Sequence, residues 1–499
     1  MLPFEDLMQI DLAAKIVLNG IKQNKRFTVH WDCDADGICS GTIITKALRD
    51  YGITANVIYN FGKIHGIKEY PLQKIVDTTD ILIVVDSASE HYEQQKFLEK
   101  NGVKVIIIDH HPANRSEYCM IINSQFNGYK NNQLSGSGLV FKFIKYLDYL
   151  TGNLHTNCYA DLAVTGLVSD MVSMGEDSPE NRYIAHIGLE TQSIPISAII
   201  DGYDFNGNSI SYSIAPLLNS AVRNGNMELA VKLMMSDSLG DARRIVKQLK
   251  SIKAEQDEKV AQIIDSSIFQ IKNNMTEDSR VISVFVNEKD SSGLVGNIIA
   301  NKYYMPTIVL HDDEKLDEYK GSIRGFGVNS FKDIIWKTGL AWVGGHDNAA
   351  GITVKKDKYE SLIQKLNKVL KDVEFTSIQN ADISLEAEEV TYDLIENITR
   401  ISKISGQNFK PISVVIESVE VNNLTPLKPN HLKFDYNGVE FVMWKAGDKI
   451  KDFQSSPGIY RTMDVMGSLS ISDFRGIKAR QFVISDYKDS REELAFLRD

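Results

Sequence analysis

Cysteine is scarce in these 499 residues: Cys33, Cys39, Cys119 and Cys158 form no CxxC pair and no disulfide-like spacing. A disulfide-stapled small scaffold is excluded at this length. Long hydrophobic runs are also missing, since no stretch approaches the roughly 20 apolar residues of a membrane span. The first residues, MLPFEDLMQIDLAAKIV, carry acids early and lack a basic leader, so no signal peptide is visible. The expectation is a soluble, cytoplasmic protein. Positive charge is in short supply, with 55 basic against 66 acidic side chains and a net charge of -11. That balance argues against a polyanionic partner, because phosphate binders need a positive face. Either the partner is not a polyanion, or something else neutralises part of the acid. Repeats and low-complexity segments are absent too, and 43% apolar with 24% charged residues is ordinary globular composition. The length leads us to expect two or three domains.

What is present is regular. FTVHWD, ANVIYN, ILIVVD and KVIIIDHH, between residues 27 and 111, are short Val- and Ile-rich runs separated by segments that can form helices. Continuous apolar strands of this kind predict a parallel sheet covered on both faces. Residues 134–150 and 158–174 have helical spacing, and the first domain is expected over 1–235. A charged segment with a thin apolar stripe (241–264) predicts a linking helix within 236–275. A smaller α/β unit is expected over 276–375. Residues 376–499 are expected to hold a connector and a small β-barrel or sandwich, with short alternating strands from about 410.

The placement of the acids is the strongest signal. FTVHW runs into Asp32-Cys33-Asp34-Ala35-Asp36-Gly37, ILIVV ends in Asp86, and KVIII ends in Asp109-His110-His111. In open α/β sheets ligands bind outside the carboxyl ends of the strands. Three strands delivering Asp and His to one edge would concentrate negative charge, which divalent ions relieve; Asp and His without sulfur suit Mn²⁺, with Mg²⁺ an alternative. Asp170, in the mostly apolar ADLAVTGLVSDMVSM, either joins this set or is a helix-end or surface residue. A calcium loop starting at Asp32 would need Glu at its twelfth position, where Ile43 stands. Trp31 reads as core, with base stacking a lesser alternative.

With VHWDCDADG, VVDSASE, IDHHP and the Asp170 segment in hand, the chain resembles the DHH phosphoesterase superfamily. GSIRG (321–325), SGLVGNIIANKYYMPTIVL (292–310) and Gly344-Gly345-His346-Asp347-Asn348-Ala349-Ala350-Gly351 narrow the resemblance to RecJ-like single-strand-specific exonucleases. The resemblance implies a DHH domain, a DHH-associated domain and a C-terminal OB-like barrel. There are departures: Ala88 stands where the family usually has Gly, and PLLNSAVR (216–223) keeps Asn219 and Arg223 of a PRINAAGR-like segment. ISGQNFKP looks like a shortened Gly/Pro-rich turn. These departures leave the metal set intact and bear on the grip and polarity of the strand.

By resemblance, His30, Asp34 and Asp86 would hold one divalent ion and Asp36, Asp86, His110 and Asp170 a second, with Asp86 bridging. His111 would contact a phosphate oxygen or help the leaving group, and Asp109 would orient a ligand histidine or cap the local turn. Arg324, Gly344, Gly345 and His346 would clamp phosphates, with Arg223, Lys63 and His65 as further phosphate contacts; for His65 an ordinary loop role is the alternative. His91, His155, His186, His311 and His431 fit no motif. In the C-terminal unit Trp444, Lys445, Phe474, Arg475, Lys478 and Arg480 mix aromatic and basic side chains, as either a strand-binding groove or barrel core and surface. The implied activity is metal-dependent 5′→3′ hydrolysis of single-stranded DNA to 5′-mononucleotides in repair, recombination or replication, with a helicase or single-strand-binding protein as a partner. The alternatives are a nano-RNA or short-oligonucleotide phosphodiesterase and a non-catalytic replication scaffold. The terminal β-unit counts against the first, and the full Asp/His set against the second.

Overall fold

The computed structural model describes residues 1–490 apart from 288–290, 314, 376–379, 428–430, 445, 457–458 and 475–476. The chain divides into two compact units, Met1–Leu249 with Asn380–Asp499, and Lys250–Gln379.

The first unit begins with an all-parallel sheet of β1 (Phe27–Trp31), β2 (Asn56–Tyr59), β3 (Ile81–Val85), β4 (Lys104–Ile108) and β5 (Met120–Ile122), in the order β2-β1-β3-β4-β5. Every residue of β1 and β3 is buried, as expected of Val/Ile runs covered on both faces. Ile75, Leu98 and their neighbours pack on Leu82, Val84, Val105 and Ile107 from one side. The helix Ala35–Asp50 contacts the sheet from another element layer, together with Gly136–Thr151. Trp31 is fully buried, donates to Thr45 Oγ1 at 3.1 Å, and would collide with any Cβ at Gly41. It is therefore core.

The helix Gly136–Thr151 buries a charge in its middle. Lys142 donates to Glu180 Oε1 at 2.8 Å, to the Tyr129 hydroxyl at 2.6 Å and to the Leu2 carbonyl at 2.7 Å. Glu180 also accepts from Tyr129, Asn131 and the Leu2 amide. Each charge inside this core thus meets its opposite and several dipoles.

A single helix runs from Leu239 to Asn274. In the second unit, β6 (Ile282–Phe285), β7 (Thr307–Asp313), β8 (Glu318–Arg324), β9 (Ala341–His346) and β10 (Ala349–Lys355) form a mixed sheet ordered β6-β7-β8-β10-β9. Only β6 and β7 are parallel. One core gathers Ile308, Ile323, Val343, Ile352 and Leu362, and another gathers Val260, Ile271, Val284 and Ile299.

The C-terminal sheet starts earlier than the alternating strands from about 410 suggested. Its strands are β11 (Ile383–Leu385), β12 (Val414–Glu420), β13 (Thr425–Leu427), β14 (His431–Tyr436), β15 (Val439–Met443), β18 (Thr462–Phe474) and β19 (Ile477–Asp489). A separate ribbon pairs β16 (Gln454–Ser456) with β17 (Ile459–Tyr460). β11 pairs parallel to β12, and the helix Tyr392–Ser402 delivers Ile395 and Ile398 to the same core as Phe434, Phe441 and Phe482.

Candidate metal centre

The strands set the geometry. β1 presents His30 and leads into Asp34, which caps the helix Ala35–Asp50 by accepting from the Gly37 amide at 2.9 Å. Asp36 lies in the first turn of that helix. Asp86 follows β3 with φ 61°, a left-handed conformation that non-glycine residues seldom adopt and that concentrates at functional sites. Asp109, His110 and His111 follow β4, and Asp170 caps the C-terminus of the helix Ala160–Ser169.

These side chains converge. His110 Nε2 lies 3.3 Å from Asp86 Oδ1 and 3.5 Å from Asp170 Oδ2. Asp36, His110 and Asp170 place one ligand atom each within 4.8 Å of one another, as do Asp32, Asp34 and Asp86, and Asp86, His110 and His111. His30 belongs to none of these groupings, although both of its buried ring nitrogens lack a hydrogen-bond partner. Asp36 Oδ2 and Asp86 Oδ1 are buried without hydrogen bonds as well.

Titration behaviour follows from this crowding. Burial, then the Asp36 and Asp34 carboxylates, raises Asp86 well above the usual carboxylate range. Asp170 is pushed up to about 8 by burial and the same two neighbours. Asp34 rises to about 6 through burial and Asp32. Burial lowers His30 to about 4, keeping its imidazole neutral and in the form that ligates metals. Unpartnered buried oxygens, a neutral histidine and mutually repelling carboxylates, all O and N donors, fit divalent ions of the Mn²⁺ or Mg²⁺ kind.

Four supporting residues escaped the sequence reading. Ser135 Oγ and the Ser137 amide donate to Asp36 Oδ1 at 3.0 and 3.1 Å. A Cβ at Gly136 would stand 2.4 Å from Asp86 Oδ1, and one at Gly166 would stand 2.0 Å from Asp36 Oδ1. SGSG at 135–138 was the available signal, but only the tertiary fold shows what it approaches.

Two histidine–aspartate pairs flank the carboxylates. Asp109 accepts from His111 Nδ1 at 2.8 Å, from the backbone amides of His110 and His111, and from Ser89 N at 3.2 Å. Asp109 thus binds the His111 ring and two amides of its own turn at once. Burial alone would raise Asp109, yet the His111 hydrogen bond and charge bring it down to about 2, while the same bond raises His111 to about 9. Asp32 holds the other pair, with His65 Nδ1 at 2.6 Å and the Gly66 amide at 2.9 Å. His65 is raised to about 11, first by Asp32 and next by Cys33. A cavity of about 280 Å³ beside Asp86 is lined by both His65 and His111.

The remaining candidates lie on other elements. Asn219 accepts from the Ala35 amide at 3.0 Å, so the segment that carries Arg223 is tied to the first motif. Arg223 is half-buried, its basicity lowered by burial. Lys63 is exposed on the loop that precedes His65. In the second unit, Gly345 adopts φ 130° and His346 is exposed. Arg324 donates to its neighbour's carbonyl, Ile323 O, at 2.7 Å. In the C-terminal sheet Arg480 donates to the Val390 and Gly438 carbonyls, which assigns it a structural use. Trp444 is exposed beside His431, and Lys478 is exposed. Lys445, Arg475 and the Phe474 side chain lie outside the described residues.

Comparison with known proteins adds three domain matches in order: the DHH family N-terminal domain over 26–167, the DHHA1 domain over 278–372 and the RecJ OB domain over 381–486. A prophage-derived single-strand DNA-specific exonuclease of Bacillus subtilis, YorK, is 26% identical, with 99% of this chain aligned to 93% of its length. The single-stranded-DNA-specific exonuclease RecJ of the same organism is 25% identical over 99% of this chain and 65% of its own length. The crystal structure of Thermus thermophilus RecJ with Mn²⁺ shares the fold, at TM-score 0.78 and 20% identity, covering 98% of this chain and 73% of that one. Among the described residues, no helix is long and apolar enough to cross a membrane.

Proposed function

The chain is a RecJ-like member of the DHH family, with DHH, DHHA1 and RecJ OB domains in sequence, and on that premise we propose that it is a metal-dependent, single-strand-specific DNA exonuclease. It hydrolyses phosphodiester bonds 5′→3′ and releases 5′-mononucleotides. The observation that carries this reading is the set of buried, unpartnered His30, Asp36 and Asp86 atoms at the carboxyl ends of parallel strands. A scaffold has no need of such a cluster, and it costs stability unless an ion occupies it.

In this reading His30, Asp34 and Asp86 hold one divalent ion, and Asp36, Asp86, His110 and Asp170 hold the other. The ions would supply an activated water and charge stabilisation at the scissile phosphate. The chain's own groups do the rest. Asp109 fixes the His111 ring through Nδ1, leaving Nε2 as a proton donor or a contact for a phosphate oxygen. Asp32 fixes His65 in the same way, and His65, Lys63 and Arg223 supply positive charge for the strand's phosphates. Arg324, Gly344, Gly345 and His346 clamp phosphates from the DHHA1 domain. We place the domain limits at 1–235, 236–275, 276–375 and 376–499. A nuclease confined to single strands depends on something that opens or presents duplex DNA, so a helicase or single-strand-binding protein belongs to the same proposal. The site of action would be the cytoplasm, with the DNA.

The test is digestion of end-labelled single-stranded DNA, double-stranded DNA and short RNA with Mn²⁺, Mg²⁺ or chelator. Metal-dependent release of mononucleotides from the 5′ end of single strands is expected. Activity that survives chelation would sink the two-ion assignment, and faster turnover of dinucleotides than of long DNA would replace this reading with a short-oligonucleotide phosphodiesterase.

A further inference from the structure

The DHHA1 sheet leaves part of one face open. Residues paired across strands share a face. Trp342, Thr353 and Lys320 therefore form one row; Gly344, Gly351 and Ser322 form the next; His346, Ala349 and Arg324 form the third. The opposite face is core, with Val343, Ala350, Ile352 and Ile323 buried together. On the open face the helix Ser292–Tyr303 reaches as far as β8, where Ser292 Oγ meets Ser322 Oγ at 3.0 Å and Gly293 and Gly296 lie against Arg324. Beyond it, on β10 and the edge strand β9, Thr353, Gly351 and Gly344 are half-buried, while Trp342 and His346 are exposed.

Trp342 is 58% exposed, a large apolar ring left in water. Its position is nonetheless defined. A Cβ on Gly344 would stand 2.5 Å from Trp342 Cη2 and 2.7 Å from Cζ2, so the six-membered ring lies along the strand against the bare glycine, toward His346. A side chain at 344 would lift the ring away. Gly344 thus has a use distinct from that of Gly345, whose φ of 130° and approach to Ala350 require glycine for backbone reasons.

We propose that Trp342 is a stacking platform for one nucleobase of the bound strand, positioning the nucleotide whose phosphates Arg324 and His346 hold. This rests on the reading above, in which those two residues clamp phosphates. The occupant is a base and not an apolar peptide, because the ring borders a floor of Gly, Ser and Thr, and Arg324 and His346, besides the Asp313-paired Lys320, lie on the same face within two rows. A π-face beside a cationic track is how proteins hold single strands without reading their sequence. The contact would affect binding more than chemistry, so Trp342 is a positioning residue.

The test uses the full chain and 5′-phosphorylated oligonucleotides in which 2-aminopurine or an abasic nucleotide is stepped from the 5′ end. Fluorescence quenching is read in chelator, and KM and kcat are read with Mn²⁺. At one position the wild-type protein should quench 2-aminopurine. Trp342→Ala should lose that quenching and raise KM about 10-fold, with kcat within about twofold. Trp342→Phe should restore most of the effect, and Gly344→Ala should cause a partial loss by displacing the ring. An abasic nucleotide at that position should cost the wild type about as much as Trp342→Ala costs on intact DNA, with no further loss when the two are combined. Unchanged quenching and KM in Trp342→Ala, or an additive penalty with the abasic strand, would overturn the platform while leaving the exonuclease reading standing. A wild-type protein that neither binds nor hydrolyses single strands would overturn both.

Discussion

Lys142 and Glu180 are buried as completely as Asp36 and Asp86, and in the same domain, but the two clusters differ in their balance. Around Lys142 each charge has an opposite charge and neutral dipoles within 2.6–3.3 Å, and the cluster closes on itself. At the strand ends the carboxylates of Asp36 and Asp34 raise the proton affinity of Asp86 and Asp170, Asp32 raises that of Asp34, and the buried Asp36 Oδ2 and Asp86 Oδ1 have no hydrogen bond. Burial alone therefore says little about use. Charge that is matched in place holds the fold, whereas charge left unmatched is held ready for a ligand.

The comparison can be broken most forcefully at Asp86. Asp86→Ala should reduce hydrolysis by on the order of a thousandfold or more, the several kcal/mol that positioned metal ions contribute, while single-strand binding persists. Retained turnover in a product-release assay would show that Asp86 is not the shared ligand. At the balanced cluster the same operation should act on the fold. Glu180→Ala leaves Lys142 buried without its counter-charge and should cost about 3–5 kcal/mol in denaturant unfolding, with the metal affinity of the folded fraction unchanged. If Glu180→Ala is nearly neutral and Asp86→Ala unfolds the protein, the two clusters have been assigned the wrong way round.

The sequence showed the unmatched cluster more clearly than its surroundings. Asp34, Asp86 and His110 stood out because Val/Ile runs must be strands and these residues stand where those runs stop, whereas His30, inside the first strand, was picked out only by the family resemblance. Asp32 looked like one more member of the same motif. Its two oxygens also hold His65 and Gly66, 33 and 34 residues away, and no local pattern reports such a partner. Ser135, Ser137, Gly136 and Gly166 were missed for the same reason. Arg480 drew notice as a basic residue among aromatics, yet its donors meet carbonyls of its own domain. The start of the C-terminal sheet was obscured because β11 has three residues and gains its partner 31 positions later, at β12. Lys142–Glu180 was also invisible, since a lysine within an apolar helix reads as a surface residue until Glu180 is placed beside it.

A smaller effect separates the clusters through pH. Folded Asp34 at about 6, Asp170 at about 8 and Asp86, raised well above the usual carboxylate range, hold protons that an unfolded aspartate, near 3.9, has already released. Where the native state binds more protons, stability falls as pH rises, here from about 4 to about 8. His30, lowered to about 4, opposes that trend only below its unfolded value near 6.5, so the window from 6.5 to 8 is the informative one. His65 and His111, both raised, also lose stabilisation as pH rises, with or without metal. The diagnostic is therefore the gap between two melting curves. Mn²⁺ should raise Tm more at pH 8 than at pH 6.5, because the ion replaces protons on the carboxylates. A gap that narrows with pH would mean that the carboxylates do not face the ion.

The smallest effect decides whether the strand-end cluster is destabilised by charge or by its backbone. Ala88 sits two residues after Asp86 at φ 75°, where RecJ-like sequences usually have glycine. The left-handed conformation costs a non-glycine residue about 1–2 kcal/mol, which Ala88→Gly would recover. Against that, the methyl group is buried among Ile67, Val84 and Leu98, and removing it forfeits about 0.8 kcal/mol. Added glycine freedom in the unfolded chain takes back roughly 0.5–1 kcal/mol more. The contributions nearly cancel, so Ala88→Gly should change unfolding free energy by less than about 1 kcal/mol. Activity should stay near wild type. A gain well above that, measured in chelator where carboxylate repulsion is at its strongest, would place the cost of the site in its backbone and remove unmatched charge as the distinction between the two clusters.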